Sequence, residues 1–453
     1  MTFAYQTMPA PVTRVTALAT TQTLALATWL AMSLTACGER SEVDPATQMG
    51  RDPQLPEARN FLVPPMQVPV GVGWQGDAHP DVAAGLSIEK IAGGLLHPRQ
   101  LLALPNGDVL VVESNGPGTE SVTTPKQLFA GLIKSRSGKG KKGGDRISLL
   151  RKRVGAAGWE AHILLDHLHS PFGVQWVDRI LYVADTDKVM KYAYEPGQLK
   201  ITDPGTELAD LPSTVNHHWT KSLLASRDGK KLYVGVGSNS NVTENSPDVE
   251  YRRAAILEVD VATGASRVFA SGLRNPTGLQ WEPQTGALWA IVNERDEIGA
   301  DLVPDYLTSV QAGGFYGWPY SYYGQHIDAR VKPQRPDLVA KAITPDYAIA
   351  SHVAPLGLMF YTGSNLPASY RGGAFVGEHG SWDRTPLSGY RVSFVRFVDG
   401  RPIGKAQPVV TGFYSADEST LYGAPVGLAQ GADGALLIAD DVGNAVWSVT
   451  ARK

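Results

Sequence analysis

A single cysteine in 453 residues leaves no partner for an intramolecular disulfide and no set for a cysteine-ligated zinc site. No Cys-x-x-Cys-His stretch occurs either, which excludes a built-in c-type haem. Charge of one sign is also missing. A formal net charge of −3 favours neither nucleic acid nor an acidic polymer as a partner. Helical periodicity is scarce: no segment longer than about 12 residues keeps apolar residues at the three-and-four spacing of a buried helix face. Glycine (48) and proline (31) are plentiful, but together they stay below the roughly 25–30% that marks low complexity. What remains is a chain with 43% hydrophobic residues, enough for a large core, whose order must come from strands and turns.

The lone cysteine, Cys37, ends the one long apolar run, VTALATTQTLALATWLAMSLTA at 15–36. Leu34-Thr35-Ala36-Cys37 has the small-residue pattern of a bacterial lipoprotein signal, and polar sequence begins at Gly38-Glu39-Arg40. Residues 1–36 therefore read as a cleaved signal peptide, with Cys37 as the lipid-modified N-terminus. An uncleaved transmembrane anchor is the competing reading, since the run is long enough to span a bilayer. Gly38 is compatible with delivery to an outer membrane. The expected location is the bacterial cell envelope, facing the periplasm, with membrane attachment through the lipid. Residues 37–84, rich in Pro, Asp and Gln and without periodicity, read as a tether and lead-in segment.

From residue 85 to 453 an internal repeat dominates. Each copy has an apolar strand, a Gly/Asp turn and a second β-rich strand ending in polar residues. The six copies begin at His97, Ser170, His217, Asn275, Ala354 and Ala424. Their irregular but blade-sized spacing predicts an all-β fold, a six-bladed β-propeller with inserted loops. Leu86-Ser87-Ile88-Glu89-Lys90-Ile91 is expected to complete the last blade beside Asn444–Val449 and so close the ring.

In such a ring, equivalent strand ends converge on one face. Here they read Glu113-Ser114-Asn115, Ala184-Asp185, Gly237-Ser238-Asn239, Asn293-Glu294-Arg295-Asp296, Glu378-His379-Gly380 and Asp440-Asp441. The loops leading into the inner strands add His217-His218 and Arg274-Asn275. This polar ring suits a small-molecule site or a protein-docking surface. The cluster Gly313-Gly314-Phe315-Tyr316-Gly317-Trp318-Pro319-Tyr320 could wall a flat ligand, although packing between blades is the more ordinary use of such rings. Glu294, Asp296, Glu297, Asp301 and Asp305 form an acidic loop that suits either a hard cation or plain solvation. Lys134 to Arg153 carries nine Lys/Arg against the single acid Asp145 and reads as a solvated basic insertion, with docking to an anionic surface as the alternative.

At these residues the chain resembles the soluble quinoprotein sugar dehydrogenases and the related L-sorbosone dehydrogenase family. The pieces that carry the likeness are HHWTKSLLASRDGKKLYVGVGSNSN, GLRNPTGLQW, VNERDEIGADLVPDYL, GGFYGWPY and LLIADDVGN. The resemblance covers about residues 85–450 and implies a six-bladed propeller using pyrroloquinoline quinone and calcium. By position it makes His218 the general base and places Arg274 and Asn275 at the cofactor. It aligns Glu294-Arg295-Asp296 with the segment whose backbone oxygens hold calcium. Two departures stand out. His217 occupies the place of an acidic residue, and Ala424 stands where an arginine for the quinone carboxylates is expected. His217, Lys221, His379 and Arg384 are the further candidates for cofactor contacts.

The implied activity is oxidation of an aldose or sugar aldehyde of the sorbosone kind, with hydride transfer to the quinone. Electrons would leave to an external acceptor, a cytochrome or the quinone pool. Two other classes compete. A calcium-dependent lactonase-type hydrolase needs carboxylates and amides such as Glu113, Asn293 and Asp440 to converge on one metal. A non-catalytic propeller that only binds sugar or protein is the third reading, and Ala424 is its main support.

Overall fold

In a computed structural model, which describes residues 40, 41, 43–59, 67–118, 131 and 135–452, the strands form six antiparallel blades around a central channel. Blade 1 is built from Pro98–Ala103, Val109–Glu113, Arg146–Lys152 and Trp159–Leu165, and blade 2 from Gly173–Val177, Ile180–Ala184, Lys188–Ala193 and Thr206–Asp210. Blade 3 comprises Lys221–Ala225, Lys231–Val236, Ala255–Asp260 and Ser266–Ser271, and blade 4 Asn275–Trp281, Leu288–Asn293, Pro304–Ser309 and Tyr347–Ser351. Blade 5 runs Pro355–Phe360, Ala374–Glu378, Arg391–Val398 and Arg401–Thr411. Blade 6 combines Pro425–Gln430, Leu436–Asp440 and Ala445–Ala451 with the early strand Leu86–Gly93. Among the described residues, no helix is long and apolar enough to cross a membrane. The signal run and Cys37 lie outside the described residues.

The burial pattern follows from the architecture. Second strands are covered on both faces by neighbouring blades, so Val109–Glu113 and Leu436–Asp440 are buried at every position. Outer strands are only partly buried, as half-solvated antiparallel strands are. Between blades 1 and 2 the core is Leu110, Val112, Leu149, Val174, Leu181 and Val183, and each further blade interface has its own such cluster. Near the channel the inner strands crowd one another: a Cβ on Gly357 would lie 2.1 Å from the carbonyl oxygen of Val426, and one on Gly427 2.5 Å from that of Arg99. Only glycine permits this approach.

Four of the six inner strands have proline at their first or second position and carry a bulge in the next residues. Register slips between Pro98 and Gln100, Pro276 and Gly278, Pro355 and Gly357, and Pro425 and Leu428. A bulge re-aims the skipped side chain, and in blade 1 that residue is Arg99.

Closure is as expected from the sequence: Leu86 pairs with Ala451 and Gly93 with Ala445. The lead-in segment is different from expectation. Its described part is not a free tether but lies against the propeller. Asp81 and Val82 add a fifth strand to blade 5, Val70 and Gly71 pair with Thr420 and Leu421, and Gly50 bridges to Ala348. Backbone groups that would otherwise need water find partners there.

Candidate functional site

The turn before blade 3 places His218. Asn216, at φ 60°, accepts Lys221 Nζ on its side-chain oxygen and donates its side-chain amide to Thr186 Oγ1, while its backbone N–H donates to Asn239 Oδ1. Arg253 ties the turn from the other side, donating to the carbonyls of Gly237, Pro212 and His218. The His218 ring then meets Ser238: Nδ1 is 2.8 Å from the Ser238 carbonyl and 3.2 Å from its hydroxyl. That hydroxyl gives its own proton to the carbonyl of Ser240 at 2.5 Å, so both groups facing Nδ1 accept. Nδ1 therefore carries the proton, and the Nε2 of the neutral ring presents a lone pair. Burial, then the charges of Arg274 and His217, push the imidazole well below its ordinary value. His217 is exposed and meets His218 edge to face at 4.8 Å.

Arg274 and Asn275 stand next to this ring. A Cβ on Gly237 would fall 2.3 Å from Asn275 Oδ1 and 2.5 Å from His218 Cβ, so the three residues share one small space. Arg274 is buried and held by Asn241: Nε donates to its carbonyl and Nη2 to its side-chain oxygen, while Nη1 donates to the carbonyl of Glu294. Asn241 also takes the N–H of Asp296 and donates to its carbonyl. Nothing in the sequence marks Asn241 for this role, because its partners come from two other loops.

The acidic loop is sorted by the fold into separate duties. Asp305 accepts the N–H groups of Glu294 and Ala354 and braces blades 4 and 5, with its carboxyl pushed up to about 7 by burial. Arg295, expected at a metal, turns its side chain away from the mouth and donates to Glu294 and Asp328 and to the carbonyls of Pro319 and Ser321. The Glu294 side chain pairs with Arg295, and its carbonyl already accepts Arg274. The Asp296 carbonyl accepts both Asn241 Nδ2 and Arg330 Nη1 at 3.1 Å each, which uses both lone pairs and removes it as a cation ligand. The carboxylate of Asp296 instead faces Arg274 at 3.3 Å and His352 at 3.5 Å.

Across the mouth, Asp441 gathers positive and imidazole groups. Arg99 donates to it, His379 Nε2 lies at 2.9 Å and His97 Nδ1 at 3.6 Å. The Arg99 guanidinium lies over the rings of Phe172 and Trp219 at 5.8 and 5.7 Å. His379 is pushed down to about 3, chiefly by burial, and stays neutral. The basic insertion is not simply solvated. Lys139 reaches across to donate to the carbonyls of His379 and Gly380 and to Tyr390, and burial lowers its amine to about 7. Arg146 and Arg151 of the same stretch pair with Glu113 and Asp108 inside blade 1.

Other expectations need correction. Arg384 does not face the site: its guanidinium is spent on Ala300, Asp301 and Ser41, fastening the lead-in segment to the blade 4 loop. Lys221 is buried and donates to Asn216 and the Trp219 carbonyl, and burial lowers its amine strongly. Glu113, Asn293 and Asp440 do not converge. Glu113 binds Arg146, Ser148 and the N–H of Leu96; Asn293 binds Thr277 and Pro355; Asp440 binds two tryptophans and the N–H groups of Ala424 and Gly443. Much of the acid ring thus fastens each blade's strand end to its own turn. Tyr316 and Trp318 are buried, with Trp318 donating to the Asn241 carbonyl, so that cluster packs between blades.

Polar atoms remain that the protein does not satisfy. Among the described residues, Asn275 Oδ1, Arg99 Nε and both ring nitrogens of His97 are buried without a hydrogen-bond partner. Such orphans at a mouth indicate room for a polar ligand or ordered water.

The TrAA12-like family model matches residues 160–305 and 330–452, more than half of the chain. A pyrroloquinoline quinone-dependent pyranose dehydrogenase of Coprinopsis cinerea is 23% identical over 365 residues, covering 70% of this chain, which spans only 44% of that relative's length. The holo pyrroloquinoline quinone domain of the Coprinopsis cinerea pyranose dehydrogenase superposes with a TM-score of 0.66 at 19% identity, covering 85% of this chain and 100% of the domain. The calcium structure of the Trichoderma reesei carbohydrate-active enzyme of family AA12 gives 0.66 at 20% identity, with 87% and 99% covered. These structural likenesses establish the propeller fold.

Proposed function

Because the chain belongs to the TrAA12-like family, we propose that it is an oxidoreductase that oxidises an aldose or sugar aldehyde with bound pyrroloquinoline quinone and calcium. The observation that carries this reading is the state of His218, a neutral imidazole with Nδ1–H committed to Ser238 and Nε2 left as acceptor, beside a buried guanidinium. When bound, the quinone and its calcium supply the two-electron acceptor. His218 Nε2 takes the proton of the sugar hydroxyl as the adjacent carbon is oxidised. Arg274, fixed by Asn241, aims positive charge at the oxygen where negative charge develops.

The residues present fit the cofactor. The Asn275 amide, whose Oδ1 is otherwise without a partner, and the unpaired Arg99 Nε would hold the polar edge of the quinone, and Arg99 offsets the arginine missing at Ala424. Calcium would take the Arg295 carbonyl and the second lone pair of the Glu294 carbonyl, whose first accepts Arg274. A sorbosone-like aldehyde is the finer substrate class. The signal at 1–36 and lipid on Cys37 would place the enzyme on the periplasmic side of the envelope, probing an external cytochrome or quinone as acceptor.

The test is reconstitution of purified protein with the quinone and calcium, followed by dye reduction across a panel of aldoses. Quinone absorbance on the protein and sugar-dependent reduction are expected. Neither signal across the panel would end the proposal. His218→Ala should keep the quinone bound and lose turnover by about 10²–10⁴-fold; near-normal turnover would remove His218 as the base. A lactonase-type reading has lost its ligand trio, since Glu113, Asn293 and Asp440 are each occupied separately.

A further inference from the structure

Asp296, His352 and Asp383 come from three loops, those after the second strands of blades 4 and 5 and the turn leading into blade 5. Their ligand atoms all lie within 4.8 Å of one another. His352 Nε2 is 3.1 Å from the Gly299 carbonyl, which can only accept, so Nε2 carries a proton. Nδ1 is then left facing Asp383 Oδ1 at 3.3 Å and Asp296 Oδ1 at 3.5 Å. A lone pair pointing at two carboxylates is repulsive unless something positive sits between them.

Without a metal a second ring proton meets that need: burial works against it, but Asp383 and Asp296 raise the imidazole to about 10, and a divalent cation would take the place of that proton. Charge-assisted N–H···O contacts run to about 2.7–2.9 Å. Separations of 3.3 and 3.5 Å instead match the edges of a coordination polyhedron with bonds near 2.0–2.2 Å. An imidazole whose far nitrogen is held by a backbone carbonyl is also the usual outer-shell arrangement of a metal-ligating histidine. The charge count points the same way. Around His352 stand the carboxyl groups of Asp296, Asp383 and Asp305, with Arg274 against Asp296 as the facing cation. His352 and Asp383 are buried, whereas the Asp296 side chain is 25% exposed, which leaves one side open to ions.

We propose that Asp296, His352 and Asp383 form a binding site for a first-row divalent cation, distinct from the calcium of the quinone. Mixed nitrogen and oxygen donors suit zinc, cobalt or manganese, whereas calcium takes an all-oxygen shell of six to eight ligands. The site sits behind Arg274 and would fix Asp296 independently of any sugar oxidation.

The experiment uses the full chain, stripped with chelator and free of quinone, titrated with Zn²⁺ by calorimetry and with Co²⁺ by visible absorbance. One equivalent of zinc is expected, with cobalt bands typical of a nitrogen- and oxygen-ligated ion. His352→Ala and Asp383→Asn should each weaken zinc at least about tenfold and abolish the cobalt bands. Melting curves in chelator show whether each variant is folded, and the near-isosteric Asp383→Asn decides the matter if His352→Ala is not. The proposal is overturned if the folded wild-type chain takes up no zinc, or if Asp383→Asn binds it as tightly as wild type. It is equally overturned if Ca²⁺ binds more tightly than zinc and gains affinity when quinone is added, because the triad would then be the cofactor's own cation site.

Discussion

At the scale of single residues, Asn241 organises the candidate site without being a candidate for chemistry. Its carbonyl and side-chain oxygen receive Arg274, and its amide and oxygen also fix the backbone of Asp296. Asn241→Ala keeps the carbonyl but loses the side-chain contacts, so the guanidinium gains freedom to tilt. A fall of about 10² in turnover is expected, with the acid limb of the pH profile unmoved, since His218 keeps both groups at Nδ1. A shifted limb would show that Asn241 acts through His218 instead. The limb itself has a defined side. Protonated His218 cannot accept a proton, and its pKa is lowered by burial and by Arg274, so kcat/KM should stay level as pH falls through 6.5 and drop only further into acid. An acid limb above 6.5 would contradict the half-buried, neutral imidazole. His218, Arg274 and Asn275 were legible from sequence because they stand at the starts of repeats. Arg99 was legible in principle, since its place after His97-Pro98 matches the bulge position of other copies. His352 and Asp383 were not, because their partners lie in different loops and no spacing in the chain records the meeting.

Among elements, the stretch after blade 1's second strand departs furthest from its sequence reading. A stretch with nine basic residues between Lys134 and Arg153 reads as solvated because composition carries no information about where one side chain lands. In the fold, Lys139 leaves the run and crosses to blade 5, where two carbonyls and the Tyr390 hydroxyl receive it and the Tyr390 ring lies 4.4 Å away. Its amine is lowered to about 7, with burial the largest cause and Asp441 opposing it. The linkage sign follows directly. Between about 7 and 10.5 the unfolded chain holds this proton and the folded one does not, so Lys139 makes stability rise with pH across that window. Lys139→Met removes the slope. The melting-temperature difference between variant and wild type should therefore change steadily in wild type's favour from pH 7 toward 10, and hydrogen exchange at 135–145 should quicken. A pH-independent difference together with unchanged exchange would mean that Lys139 is solvated after all.

For the whole molecule, the ring is held shut by residues from opposite ends of the described chain. Leu86–Gly93 supplies the outer strand of blade 6, and Ala445–Ala451 supplies the strand it pairs with. The repeat made six blades legible, and the apolar alternation of 86–91 made the closing strand legible too. The docking of residues 43–59 and 67–84 was not, because backbone pairing such as Val70 with Thr420 needs no side-chain pattern. Leu86 and Ile91 are buried in two different blade interfaces, each worth about 1.5–3 kcal/mol in apolar burial, and the strand's ladder bonds add to this. Against a typical margin of about 5–15 kcal/mol, losing that strand consumes much of the stability and leaves a long unpaired edge. Deleting residues 1–93 should therefore give an insoluble or aggregating product, and so should deleting 445–453, although the two cuts share no residue. Deleting only 1–84 removes the docked lead-in and leaves the ring closed, so that variant should remain a soluble, cooperatively melting protein with a modestly lower Tm. Solubility and a single melting transition in the 1–93 deletion would show that the ring does not depend on its closing strand. If the 1–84 deletion failed as completely as the other two, the lead-in segment rather than the strand would be the clasp.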